Sequence, residues 1–371
     1  MHHITRRTAV AQILSAGAAA PALAAALGAC AKKPATSGEV VLYSSVDEPL
    51  LRELVDVYTT AHRARVLVVG DTEATKTTGL LQRLLAERAS PRCDVWWSNE
   101  AFSTIGLARQ GILEPLPIAA ELRTLGWPAE LIGADDRWIG FAQRARAIVS
   151  NVQRVPAERA PTSLSDLLKP ELKGRIGMAR PQFGTTRGHV AALVAAHGAD
   201  ATEAYLAALK ANGVRLYDGN SLVVRAVAIG EIDVGLTDTD DIFAGERNGW
   251  PVGMTFERFD EPGSGQSGPG TLPSIGPLVI PNTVARVKDG PESRRAGRAR
   301  PDASDALIAF LVSERLERLL AESEARNIPV RPGLAARVQS VAIARPMPVR
   351  LEDVESRIDE ALAIAARTLG V

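Results

Sequence analysis

Asp238, Asp240 and Asp241 stand together in GLTDTDDIF (235–243), at the end of a stretch rich in Val, Gly and Ile that reads as a buried strand. Carboxylates are costly to desolvate unless something pairs with them, so three at a strand end mark a place for a ligand. The same residues also suit a solvated turn in which one aspartate caps the next helix. Groups with the opposite preference lie upstream. GRIGMAR (174–180) leads through the turn PQFGTTRG into the helix HVAALVAAH (189–197), and GVRLYD (213–218) through GNS into LVVRAVAIGEI, so that Thr185, Thr186, Asn220 and Ser221 stand just before helix starts. Backbone amides at a helix N-terminus, helped by those side chains, can seat an anion. Each of them is equally an ordinary helix cap.

The elements that must position these groups alternate. VVLYSS (40–45), RVLVVG (65–70) and CDVWWS (93–98) are short apolar strands; EPLLRELVDVYTTAH (48–62) and TTGLLQRLLAERAS (77–90) have apolar residues at helical spacing. A β-α-β-α-β start of this kind predicts a parallel sheet covered on both faces, with functional loops at the carboxyl ends of its strands. Those ends carry Ser44, Ser45 and Asp47, then Asp71 to Glu73, then Ser98, Asn99 and Glu100. Trp96, Trp97, Phe102 and Tyr43 lie close by and read as core or lobe-interface packing, or as an aromatic wall for an ammonium. Further on, 260–271 is a Gly/Ser-rich loop, 276–287 a strand, 288–303 a basic solvated loop and 303–326 a single helix.

With 371 residues and 46% hydrophobic content the chain is long enough for two domains. Forty-three basic residues balance forty-three acidic ones, and aromatics make up 4%, so neither nucleic acid nor an anionic membrane surface is indicated. Residues 1–30 combine Arg6-Arg7, an Ala-rich apolar stretch broken at Pro21, and Leu27-Gly28-Ala29-Cys30. That is an export signal, with a twin-arginine hint of the Tat route. The tetrapeptide resembles the lipobox of bacterial lipoproteins, which implies lipid modification of Cys30. Residues 31–38 have the composition of a tether. Cys93, alone in the mature chain, reads as a small buried hydrophobe, with no disulfide framework. None of the five histidines is placed to act as base for a serine, and no nucleophile elbow, P-loop or HExxH motif is present, so binding is favoured over catalysis.

The order of the export signal, VVLYSS, DVWWSNEAF with LARQGILEPL, WIGFAQRARAIVSN, LKGRIGMARPQFGTTRG, DGNSLVVRAVAIGEIDVGLTDTDD and ALIAFLVSERLERLLAESEARNIPVRPG resembles the ferric-type family of solute-binding proteins of bacterial ABC importers. The likeness runs over nearly the whole mature chain. It implies an α/β, two-lobed type II periplasmic-binding fold with a ligand cleft between the lobes. Lobe 1 is expected over 39–142 plus 275–345 and lobe 2 over 143–274, with residues 346–371 packing back as a C-terminal helix. It also implies a monomer outside the cytoplasm, anchored through Cys30, that delivers its ligand to a membrane permease.

In ferric-binding members of that family two adjacent tyrosines, a histidine and a glutamate bind the metal, while Ser, Thr and Asn side chains hold a companion anion. The tyrosine pair falls on Asp240 and Asp241, the histidine near Asp47 and the glutamate on Asn99 or Glu100. Thr185, Thr186 and Asn220 match the anion-holding positions. The ligand-binding set implied is Ser44, Ser45, Asp47, Glu100, Thr185, Thr186, Asn220, Ser221, Asp240 and Asp241. Within it Asp47, Glu100, Asp240 and Asp241 can hold a hard cation, since carboxylates are hard oxygen ligands like the phenolates they replace. Ferric iron is then cargo and no resident cofactor is expected. The same acidic group can instead face the ammonium of a small zwitterion such as an aminophosphonate, with Arg144, Arg146 or Arg187 as candidates to reach the cleft.

Overall fold

Val40, Leu42 and Tyr43 have no solvent exposure, which is why the first strand reads as a continuous apolar run and not as an alternating one. In the computed structural model, residues 39–71, 78–260, 268–291 and 301–371 are described. The chain divides into residues 1–36 and 37–371, and the first unit, with Cys30, lies outside the described residues; so do the last tether residues and most of the loops at 260–271 and 288–303. Among the described residues no helix is long and apolar enough to cross a membrane.

The first half runs β1 (Glu39–Ser44), α1 (Glu48–His62), β2 (Arg65–Gly70), α2 (Thr78–Ala86), β3 (Val95–Ser98), α3 (Phe102–Arg109), β4 (Leu113–Glu114), α4 (Ile118–Thr124) and the long β5 (Ile139–Asn151). There follow β6 (Ile176–Ala179), α5 (Gly184–His197), α6 (Ala199–Ala211), β7 (Arg215–Tyr217), α7 (Asn220–Ala228), β8 (Val234–Asp238), α8 (Thr239–Arg247), β9 (Val252–Thr255) and β10 (Val279–Val287). The chain ends in α9 (Pro301–Leu311), α10 (Glu314–Glu322), α11 (Leu351–Glu355) and α12 (Ile358–Leu369).

Strand order is β2-β1-β3-β10-β5-β8-β6-β7, with β4 on β10 and β9 on β5. Pairing within β2-β1-β3 and within β8-β6-β7 is parallel; β10 and β5 run antiparallel to their neighbours. β5 serves both halves. From Ile139 to Ala145 it pairs with β10, and from Arg146 onward with β8. One continuous strand therefore passes from the first sheet to the second, and the changeover falls between Arg144 and Arg146. Side chains two apart on a strand share a face, so both arginines point the same way at that junction.

Cores lie on both sides of the changeover. Leu42, Trp97, Phe141 and Leu316 belong to one, and Ile176, Leu193, Leu206 and Val234 to another. Trp96, Trp97, Tyr43 and Phe102 are at most 1% exposed, so they pack and form no wall to a ligand. The helix expected over 303–326 is two. Ser313 accepts a hydrogen bond from Leu316 N at 3.2 Å and caps α10, which stops α9 before it. The C-terminal helix is likewise broken: α12 packs on α5 and α6, while α11 contacts both α3 and α5.

Glu257, beyond β9, is 8% exposed, and its carboxyl is pushed up to about 8 by burial, with Asp260 adding to the shift and Arg258 opposing it. A carboxyl whose folded value lies above its unfolded one binds its proton more tightly in the native state. Its contribution to stability is full below about pH 4.5 and is lost as pH rises toward 8, by at most roughly 5 kcal/mol. Glu257→Gln is expected to flatten the fall in urea midpoint between those pH values. An unchanged slope in the variant would show that other groups set it.

Candidate functional site

β8 delivers Asp238 to the junction and α8 begins at the next residue, so Asp240 and Asp241 occupy the first turn, where the helix dipole favours carboxylates. Both are half-buried. Oxygens of Asp238, Asp240 and Asp241 lie within 4.8 Å of one another. Asp238 stands at the N-cap position but makes no cap bond with its side chain. Its carboxylate, 2% exposed, instead accepts from Arg146 Nη1 at 2.7 Å, Thr185 Oγ1 at 2.5 Å and Asn220 Nδ2 at 3.0 Å, with Arg144 Nε at 3.3 Å. Burial alone would push this carboxyl up; the charges of Arg146 and Arg144 and the Thr185 hydroxyl outweigh it and hold the carboxyl below the usual range.

Arg144, 4% exposed, faces Asp240, Asp238, Asp241 and Asp47, which together outweigh its burial and raise its basicity. Its Nη2 donates to Asn99 O at 2.5 Å, and Nη1 lies 3.7 Å from Asp240. Asn99 is fixed in turn by Ser45, whose Oγ donates to Asn99 Oδ1 and accepts from its backbone N–H, each at 3.0 Å. Beside Arg146, His189 is pushed down to about 3 by burial and by that arginine's charge, and is neutral near pH 7.

Asn99, Arg144, Thr185, Asn220, Asp238, Asp240 and Asp241 line a small solvent-open cleft that Asp47, Thr186, Arg180 and Asp218 complete, while Ser45, Arg146 and His189 are not on its lining. α5 starts at Gly184, five residues before the sequence reading placed it, because Gly184 takes a left-handed φ of 54° and turns the chain into the helix. Thr185 and Thr186 thereby enter the first turn. Asn220 opens α7 after the extended Gly219.

Of the expected site residues, Asp47, Thr185, Thr186, Asn220, Asp240 and Asp241 line the cleft. Ser45 backs it through Asn99. Three others are elsewhere. Glu100 is fully buried, and its carboxylate accepts from Phe102 N at 2.6 Å and Ser103 N at 3.2 Å while Arg187 lies 3.5 Å away; it caps α3 and does not line the cleft. Arg187 is accordingly taken up away from the cleft. Ser44 is buried and accepts from Val46 N, and Ser221 belongs to a neighbouring groove that shares Asp47, Asp240 and Asp241. The sequence reading placed Asp238 at the acidic strand end and named Arg144 and Arg146 as candidates to reach the cleft, without pairing them; Arg144 and Asp238 do line it. The available signal was the pair of arginines two apart in the apolar run AQRARAIV, a costly placement that needs buried partners.

Five carboxylates (Asp47, Asp218, Asp238, Asp240 and Asp241) against three guanidiniums (Arg144 and Arg180 on the lining, Arg146 paired with Asp238) leave the cleft with an excess of two negative charges. Such a site attracts cations and offers them hard oxygen donors.

Residues 107–236 match the family described as bacterial extracellular solute-binding protein. The chain is 31% identical over 201 residues to the Fe(3+)-binding periplasmic protein of Serratia marcescens and 29% identical over 210 residues to iron uptake protein A1 of Synechocystis sp. (strain ATCC 27184 / PCC 6803 / Kazusa). These matches cover 53% and 56% of this chain and span 56% of the length of each relative. Iron-bound HitA from Pseudomonas aeruginosa has a TM-score of 0.71 at 24% identity, covering 90% of this chain and 100% of that one. The two-lobed type II periplasmic-binding fold is therefore the fold of this chain.

Proposed function

We propose that this chain, whose kinship is with the ferric-type solute-binding proteins, captures a hard metal cation outside the cytoplasm, ferric iron foremost, and hands it to an ABC permease. The observation that carries this reading is the convergence of Asp238, Asp240 and Asp241 oxygens within 4.8 Å at the strand junction, with Asp47 across the cleft. Its relatives, an Fe(3+)-binding periplasmic protein and an iron uptake protein, support iron as the cargo. Asp240 and Asp241 take the place of the tyrosine pair, Asp47 stands for the histidine, and Thr186 faces the same space. Binding without turnover, a monomer, Tat-linked export and a lipid anchor at Cys30 complete the proposal. Lobes parting near residues 142 and 274 would close on the metal by rotation about β5 and β10.

Metal-stripped protein lacking residues 1–30 is to be melted with ferric and divalent ions and, separately, with aminophosphonates. A ligand at a hundred times its Kd adds about 2.7 kcal/mol of stability. A rise in midpoint with ferric iron is the expected result. A rise with aminophosphonates and none with any metal would replace the reading by the zwitterion one.

A further inference from the structure

Three hydrogen-bond donors from three elements converge on the Asp238 carboxylate, Arg146 from β5, Thr185 from the first turn of α5 and Asn220 from the first turn of α7, with the Arg144 guanidinium in ion-pair contact at 3.3 Å. Guanidinium, hydroxyl and amide donors beside two helix N-termini are what an oxyanion requires. The carboxylate does not use all the donors of the seat. Arg146 is 3% exposed, and its Nε and Nη2 have no hydrogen-bond partner. Burying a guanidinium with two idle nitrogens is costly unless the site is built around a bulkier group of three or four oxygens. Here the Asp238 carboxylate accepts the hydrogen bonds of the Thr185 hydroxyl and the Asn220 amide, and opposes any second anion with its own charge.

We infer that Asp238 is a built-in anion, filling with its own carboxylate a seat that would otherwise take a free oxyanion, so that the cleft receives its metal without a companion anion. The seat itself stands on the geometry above; the clause about the metal rests on the function proposed in the preceding subsection. The negative charge sits beside the cation donors, because Asp238 oxygens lie within 4.8 Å of those of Asp240 and Asp241.

The test uses two probes on metal-stripped protein, inorganic sulfate alone and terbium(III) with or without millimolar sulfate, for the parent and Asp238→Asn. The parent is expected to show no sulfate binding by calorimetry or thermal shift, and terbium affinity that sulfate leaves unchanged. Asp238→Asn should bind sulfate without metal, gain midpoint from it even where the variant is weakly folded, and bind terbium at least about tenfold more tightly when sulfate is present. A parent chain that binds sulfate, or whose terbium affinity rises with sulfate, overturns the inference. So does an Asp238→Asn chain that sulfate neither binds nor stabilises. Absence of terbium binding in both proteins would count against the metal reading, and the metal-free sulfate result would still decide the seat.

Discussion

Replacing Asp240 and Asp241 together with alanine is expected to abolish metal binding, by at least about a hundredfold in affinity, while the melting temperature stays within a few degrees of the parent. Binding and stability separate because of where the two carboxylates sit. Both are half-buried in the first turn of α8, and Asp241 N donates to Asp240 Oδ1 at 3.2 Å, so each supports the helix start. A carboxylate there contributes about 0.3–1 kcal/mol to the helix. Loss of both leaves Asp238 alone among the three converging aspartates, and it is already committed to Arg146, Thr185 and Asn220. A hard cation needs several oxygens at about 2.0–2.6 Å, which one engaged carboxylate and Asp47 do not supply. Arg144 sharpens the effect, since its positive charge then faces the ion with fewer carboxylates between. Terbium luminescence and circular dichroism on the same samples read the two quantities. Retained affinity in a folded double variant would remove the acidic cleft from the mechanism.

The strands β1 to β3, β6 to β8 and β10, most helices and the acidic end of β8 were legible in the sequence because they rest on local patterns, whereas β4, β5 and β9 were not read as strands. α1 spans the expected Glu48–His62, since Leu51, Leu54, Val55 and Tyr58 are buried at helical spacing. Groups whose role depends on long-range pairing were not legible. Glu100 follows a strand end, as a ligand would, but two backbone N–H groups of α3 and Arg187 of α5 take up its charge. Asp238 differs from Asp240 and Asp241 only through partners 18, 53 and 92 residues distant. No spacing rule connects Arg146 to Thr185 and Asn220 until β5 is known to cross between sheets. The break at Ser313 is a local signal overridden by a strong amphipathic pattern on both sides, and the cap won.

Asp238→Ala is expected to be the most damaging single change at the junction, for a reason opposite to that for its neighbours. Arg144 and Arg146 are 4% and 3% exposed, and both lean on this one carboxylate. Removing one partner of a buried ion pair leaves an uncompensated charge and costs about 3–5 kcal/mol. The Thr185 hydroxyl and the Asn220 amide lose their acceptor at the same time. Removing the charges together is far less harmful, because apolar groups of similar size demand no partners. Asp238→Leu combined with Arg146→Met should therefore recover most of the loss, leaving Arg144 to Asp240 and Asn99 O. Urea unfolding of both single variants and the double variant gives the coupling as the departure from additivity, expected at about 3 kcal/mol or more. Additive losses would mean that Asp238 and Arg146 act independently and that the junction is held by packing of β5 against β8 and β10.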